Sequence, residues 1–124
     1  MIAGQVVPVT VRGTIEPGWQ IYSLTQKSGG PTPLEISVSP TPPFDLAASA
    51  TGPAPRVKRD ATFGIETETY AATPVFVVPV RVSDSATPGP AVLKLKVRSQ
   101  ACSDNVCLEA VTTNVDVPVS ITRK

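Results

Sequence analysis

The chain has 124 residues, enough for one domain with a single hydrophobic core. Its 11 basic and 10 acidic residues leave a formal net charge of +1, and only 5% of residues are aromatic. It therefore offers neither the basic field nor the stacking platform that nucleic acid or an anionic membrane surface would call for.

The opening MIAGQVVPV lacks the basic segment and the apolar stretch of a signal peptide. VVPVTVR then puts Val7, Val9 and Val11 on one face. WQIYSL (19–24) follows the turn EPG, and its Trp19 and Tyr22, three apart, face opposite sides of a regular strand. PLEISVS alternates Leu34, Ile36 and Val38 with polar neighbours. Residues 39–64 are rich in Pro, Gly, Ala and Ser and predict long loops with at most a short strand around Phe44–Leu46. Their RVKR run (56–59) reads as a solvated loop. TPVFVVPVRVS aligns Phe76, Val78, Val80 and Val82, and its VFVVPV core is too short to cross a bilayer. VLKLKVRS places Leu93, Leu95 and Val97 inward, against Lys94, Lys96 and Arg98 outward. AVTTNVDVPVSI puts Val111, Val115, Val117, Val119 and Ile121 in phase.

Each of these is the period-2 pattern of a half-buried strand, and no window sustains a helical period. Pro8, Pro79 and Pro118 fall inside such runs and predict edge strands or bulges. The expected fold is all-β, an immunoglobulin-like β-sandwich spanning residues 1–124 as a single domain. We expect the protein to continue beyond Lys124, because the chain stops directly after a strand-like run.

The only two cysteines lie in QACSDNVC (100–107), between the last two strand patterns. They are too close in sequence for the usual inter-sheet bridge. Zinc needs about four ligands, and two thiols in a chain without histidine cannot supply them. The absence of histidine also removes Cys–His and Ser–His nucleophilic arrangements. GTIEPGW and KSGGPTP lack P-loop spacing. No cofactor is called for. A disulfide closing so short a loop gains only about 2 kcal/mol by chain entropy, so the spacing leaves two readings open, a staple or a redox centre that opens without unfolding. Asp104 lies between the cysteines and Glu109 just after, with no adjacent Lys or Arg to depress a thiol pKa. With staple and redox centre both still open, the redox reading takes the form of a passive disulfide attacked by another protein's thiolate, not of an activated nucleophile.

EPGWQIYS, GGPTPLEIS and SQACSDNVCLEAV, in that order, resemble the N-terminal periplasmic domain of the thiol:disulfide interchange protein DsbD, over roughly Val6 to Ile121. The resemblance implies a redox pair of Cys102 and Cys107, with Cys107 as the cysteine that forms mixed disulfides. It implies reduction by a transmembrane electron-donor domain. It also implies delivery to periplasmic thioredoxin-fold proteins, a disulfide isomerase and a cytochrome c maturation thioredoxin. The domain would itself be soluble, in the bacterial periplasm, within a protein tethered to the inner membrane.

The family shields its cysteines with an aromatic cap, which Phe63 in RDATFGIETETY matches, and places an aromatic beside them, which Tyr22 matches. Asp104 joins these as part of the surroundings. The chain departs from the family in having Ala61 and Thr62 where acids precede the cap, and Glu109 and Ala110 where prolines follow the second cysteine. From the residues alone, Phe63 reads as a core anchor and Tyr22 as core or a hydroxyl-anchored tyrosine. Two other classes stay open: a non-catalytic β-sandwich that binds a protein or carbohydrate, and an assembly module that keeps only a structural disulfide.

Overall fold

The computed structural model describes residues 1–27, 29–60 and 64–124. They form ten strands and no helix: β1 Val6–Arg12, β2 Gln20–Tyr22, β3 Glu35–Val38, β4 Phe44–Leu46, β5 Arg56–Asp60, β6 Ile65–Tyr70, β7 Val75–Val82, β8 Gly89–Ser99, β9 Ala101–Cys102 and β10 Val111–Ile121. Three antiparallel sheets result, ordered β1-β7-β4, β10-β8-β3 and β5-β6-β2-β9. The all-β, sandwich-like expectation holds.

The inward residues of β7 and β8 build the core. Phe76, Val78, Val80 and Val82 from β7 meet Leu93 and Leu95 from β8, with Leu34, Ile36, Phe44 and Tyr70 around them. Their outward neighbours Val77, Arg81, Lys94 and Lys96 stay exposed, so period-2 patterning alone chose which face was buried. Tyr70 and Phe76 pack edge to face at 5.3 Å between ring centroids.

Three sequence expectations are corrected. RVKR is not a loop: Arg56 to Asp60 pair with Ile65 to Thr69 as an edge hairpin. The charged side chains suit a strand whose other edge and outer face meet water. Val111 belongs to β10 but is 58% exposed, because the core does not extend to that end of the strand. Pro79 sits in β7, the central strand of its sheet, whereas Pro8 and Pro118 do lie on edge strands.

The ladder explains how Pro79 is tolerated. Bonds from Val82 N to Gln5 O and from Gly13 N to Pro74 O put odd-numbered β1 residues in hydrogen-bonded pairs. Pro8 and Pro79 therefore face each other at a non-hydrogen-bonded position, where neither missing N–H costs a β1–β7 bond. On its other side the Pro79 carbonyl accepts from Ala47 N, just past the end of β4.

Both chain ends meet at one pole. Ala3 N donates to Thr122 O, Thr122 N donates to Met1 O, and the terminal ammonium donates to Ser120 O. β8 leaves this pole and β10 returns to it, paired along all 11 residues from Gly89↔Ile121 to Ser99↔Val111. The far end of this hairpin carries the cysteines.

Burial raises the Tyr70 phenol pKa above its ordinary value of 10.0, opposed by a hydrogen bond with the Leu24 backbone and aided by the nearby Glu68. A folded-state pKa above the unfolded one gives stability that is complete below pH about 10 and lost as pH rises through the folded value. Tyr70→Phe removes both the hydrogen bond and this titration. Denaturant unfolding should show wild type more stable than Tyr70→Phe by about 1 kcal/mol at neutral pH, with the difference shrinking as pH rises beyond about 10.

Candidate functional site

The cysteines sit at the tip of the β8–β10 hairpin. β10 pairs with β8 in one register up to Val111↔Ser99, and the tip pairs Cys107 with Cys102. The two registers differ by one residue, so Glu109 and Ala110 together oppose Gln100. This is a β-bulge, which re-aims the strands beyond it. The Gln100 side chain holds the bulge from both sides: Nε2 donates to Leu108 O, and Oε1 accepts from Thr32 N. Past the bulge the chain leaves the β8 sheet and joins β2, with Ala101 opposite Ile21 and Cys102 opposite Gln20.

The tip is held without the disulfide. Leu108 N donates to Ala101 O, and Ser103 N donates to Val106 O. These two bonds bracket Cys102 and Cys107, which makes them a non-hydrogen-bonded cross-strand pair, the position where Cα atoms approach most closely. Their Cα atoms are 4.1 Å apart and the sulfurs are bonded. Ser103 Oγ accepts from the Asn105 and Val106 amides and so closes the turn. Asp104 stands exposed in that turn.

The two sulfurs have different surroundings. Cys102 is 2% exposed, whereas Cys107 is exposed on the outer strand of the tip. Tyr22, also buried, lies on the same face of β2 as Gln20, diagonal to Cys102 across the β2–β9 pair, within reach of a long side chain. Its hydroxyl lies 3.2 Å from Cys102 Sγ and 3.9 Å from Cys107 Sγ. A disulfide sulfur carries no proton, so the phenol is the donor to Cys102.

Tyr22 and the cysteines are thus brought together, and Asp104 lies in the same turn. Phe63, the expected cap, and its neighbours Ala61 and Thr62 lie outside the described residues. Trp19, three residues from Tyr22, is half-buried and lines a hollow with Ile21.

Sequence reading missed Gln26. Its side-chain amide, 5% exposed, acts as one more strand residue against β6: Nε2 donates to Glu66 O, and Oε1 accepts from Glu68 N at 2.7 Å. Ser23 and Thr25 hydroxyls add bonds to the Glu68 carboxylate. This fixes the β5–β6 hairpin beside β2 and the tip. Among the described residues, no group of three or more His, Cys, Asp or Glu could hold a metal.

Because main-chain bonds bracket the cysteines, reduction should leave the fold intact. Thermal melts of the oxidised and reduced forms should both be cooperative, with a loss near the roughly 2 kcal/mol of a short closed loop. A reduced form without a cooperative transition would make the bond a staple.

The family model described as "Thiol:disulfide interchange protein DsbD, N-terminal" matches residues 1–118. No curated protein sequence matches the chain. Among solved structures, the chain is similar to the Neisseria meningitidis DsbD N-terminal domain in its reduced form. The two are 22% identical with a TM-score of 0.61, over 90% of this chain and 76% of that one, a likeness of fold.

Proposed function

This chain belongs to the family of DsbD N-terminal domains, and on that premise we propose that its Cys102–Cys107 pair is the redox centre of a periplasmic thiol–disulfide oxidoreductase domain that reduces other proteins. The observation that carries this reading is the asymmetry of the pair: one sulfur is exposed, and the other is buried under a phenol, in a tip that the backbone already holds.

The chemistry follows from that asymmetry. A donor's thiolate attacks Cys107 Sγ, the sulfur it can reach. The Cys102–Cys107 bond breaks, and its electron pair leaves on Cys102 Sγ. Tyr22 donates to that developing thiolate, which favours Cys102 as the leaving group. The donor's second thiolate then attacks the mixed disulfide and releases Cys107. The donor ends oxidised and this domain reduced, by two electrons and two protons. Run in reverse, with Cys107 attacking an acceptor disulfide, the same steps pass the pair on.

The family supports a transmembrane donor domain in a longer, membrane-tethered protein. It also supports acceptors of thioredoxin fold, such as a disulfide isomerase and a cytochrome c maturation thioredoxin.

Two measurements test the reading. The native disulfide, equilibrated in thiol buffers, should have a reduction potential above the roughly −300 mV below which structural bonds lie. A value below that, or a bond that opens only on denaturation, makes the pair structural. Trapping should separate the sulfurs: Cys102→Ser should accumulate mixed disulfides through Cys107, and Cys107→Ser far fewer. Tyr22→Phe should slow reduction by dithiothreitol about 10-fold, the loss of one hydrogen bond to a charged group, with the cooperative melt retained.

A further inference from the structure

The reverse face of the cysteine tip is apolar and open. In a strand pair successive side chains alternate faces. Cys102 and Cys107 therefore share one face, and Ala101 and Leu108 the other. Leu108 is 52% exposed, and neighbouring Val106 and Val111 are 51% and 58% exposed. Behind Leu108 lies a cavity of about 340 Å³, walled by Ile15, Trp19, Ile21 and Ala101. Through Ile15 and Ile21 it continues into a cleft of about 330 Å³ between the β1 and β10 edges, floored by Phe76 and Val115. Both hollows open toward the cysteine end of the sandwich.

We propose that this hollow receives the aliphatic side chain beside the reactive cysteine of a protein dithiol that exchanges with Cys107. The proposal rests on the redox reading above and names the partner's chemistry. Exchange needs the incoming sulfur in line with the bond it breaks. The Cys102–Cys107 bond points from the buried strand β9 toward the outer strand of the tip. An attacking protein therefore approaches from beyond that strand and straddles it. Cys107 then meets the partner on one face, and Leu108, the next residue, meets it on the other.

Charge fixes the rest of the occupant. Among the described residues, Glu16 is the one charged residue lining the hollow, and Asp104 and Glu109 stand exposed on either side of Cys107. No Lys or Arg occurs between Arg98 and Arg123, and Arg12 lies on the deeper cleft wall. The lip that fits is aliphatic and basic, and an acidic one is repelled.

The test compares two short peptides, one with a single cysteine flanked by Leu and Lys and the other with the same cysteine flanked by Ser and Glu. Each reduces the oxidised 124-residue protein, with dithiothreitol as the reference thiol. Comparing protein variants with the same peptide cancels each peptide's own thiol reactivity. Wild type should prefer the Leu/Lys peptide by about 10-fold, the ratio for burying roughly half a leucine side chain. Leu108→Ser should lose most of that preference, and Glu16→Lys should weaken it, with the dithiothreitol rate within about two-fold of wild type for both. Val111→Ser, exposed but not lining the hollow, should keep it. A wild type that dithiothreitol reduces without any peptide preference, or a preference unmoved by Leu108→Ser, overturns the docking site and leaves the redox reading standing. A native disulfide that neither dithiothreitol nor peptide opens overturns both.

Discussion

Everything at the candidate site depends on two main-chain hydrogen bonds, Leu108 N to Ala101 O and Ser103 N to Val106 O. They set the cysteines opposite each other at the narrow position of an antiparallel pair. Proximity of the sulfurs is then a property of the backbone and not of the bond between them. The turn adds its own closure through Ser103, so the shape of the tip does not rest on the disulfide alone. The chemistry is separated from the stability of the sandwich, which lives in the β7 and β8 side chains.

The bulge opposite Gln100 links those two parts. Without it, the β8–β10 register would run on in one sheet, and the cysteines would never reach β2. With it, the tip turns onto Gln20 and Ile21, which brings Cys102 under Tyr22. One extra residue in one strand thus gives two chemically equal cysteines unequal surroundings. Gln100 secures the bulge, and Gln26 secures the neighbouring hairpin, each using both ends of an amide side chain. Such groups can stand in for missing strand residues because they carry the same donor and acceptor as the backbone.

Where side chains alternate against a common core, the sequence was legible. Phe76, Val78, Val80, Val82, Leu93 and Leu95 all lie where period-2 reading puts them, and the short Phe44–Leu46 strand was visible between its prolines. β5 was not, because a hairpin arm with no buried face has no hydrophobic period to read. Val111 was assigned inward because periodicity continues past the point where the opposing sheet ends. Pro79 misled because the penalty for proline in a strand depends on which edge its nitrogen faces, a matter of register. At the site, cysteine spacing marked the place but could not choose between staple and redox centre. The redox proposal rests on the difference in exposure between Cys102 and Cys107 and on the phenol of Tyr22, both products of the bulge. Resemblance pointed to Tyr22; nothing in the local pattern distinguished it from a core tyrosine.

The meeting of the two chain ends with each other has a mechanical meaning. They lie at the root of a hairpin whose two arms run 11 residues each. At about 3.4 Å per residue that is a rod of roughly 37 Å, with the disulfide mounted beyond its far end. Any segment attached at either terminus joins the same pole. The domain then carries its disulfide at the end remote from both termini. A short swing about the base would sweep the sulfurs through a wide arc, because the lever is the full length of the hairpin.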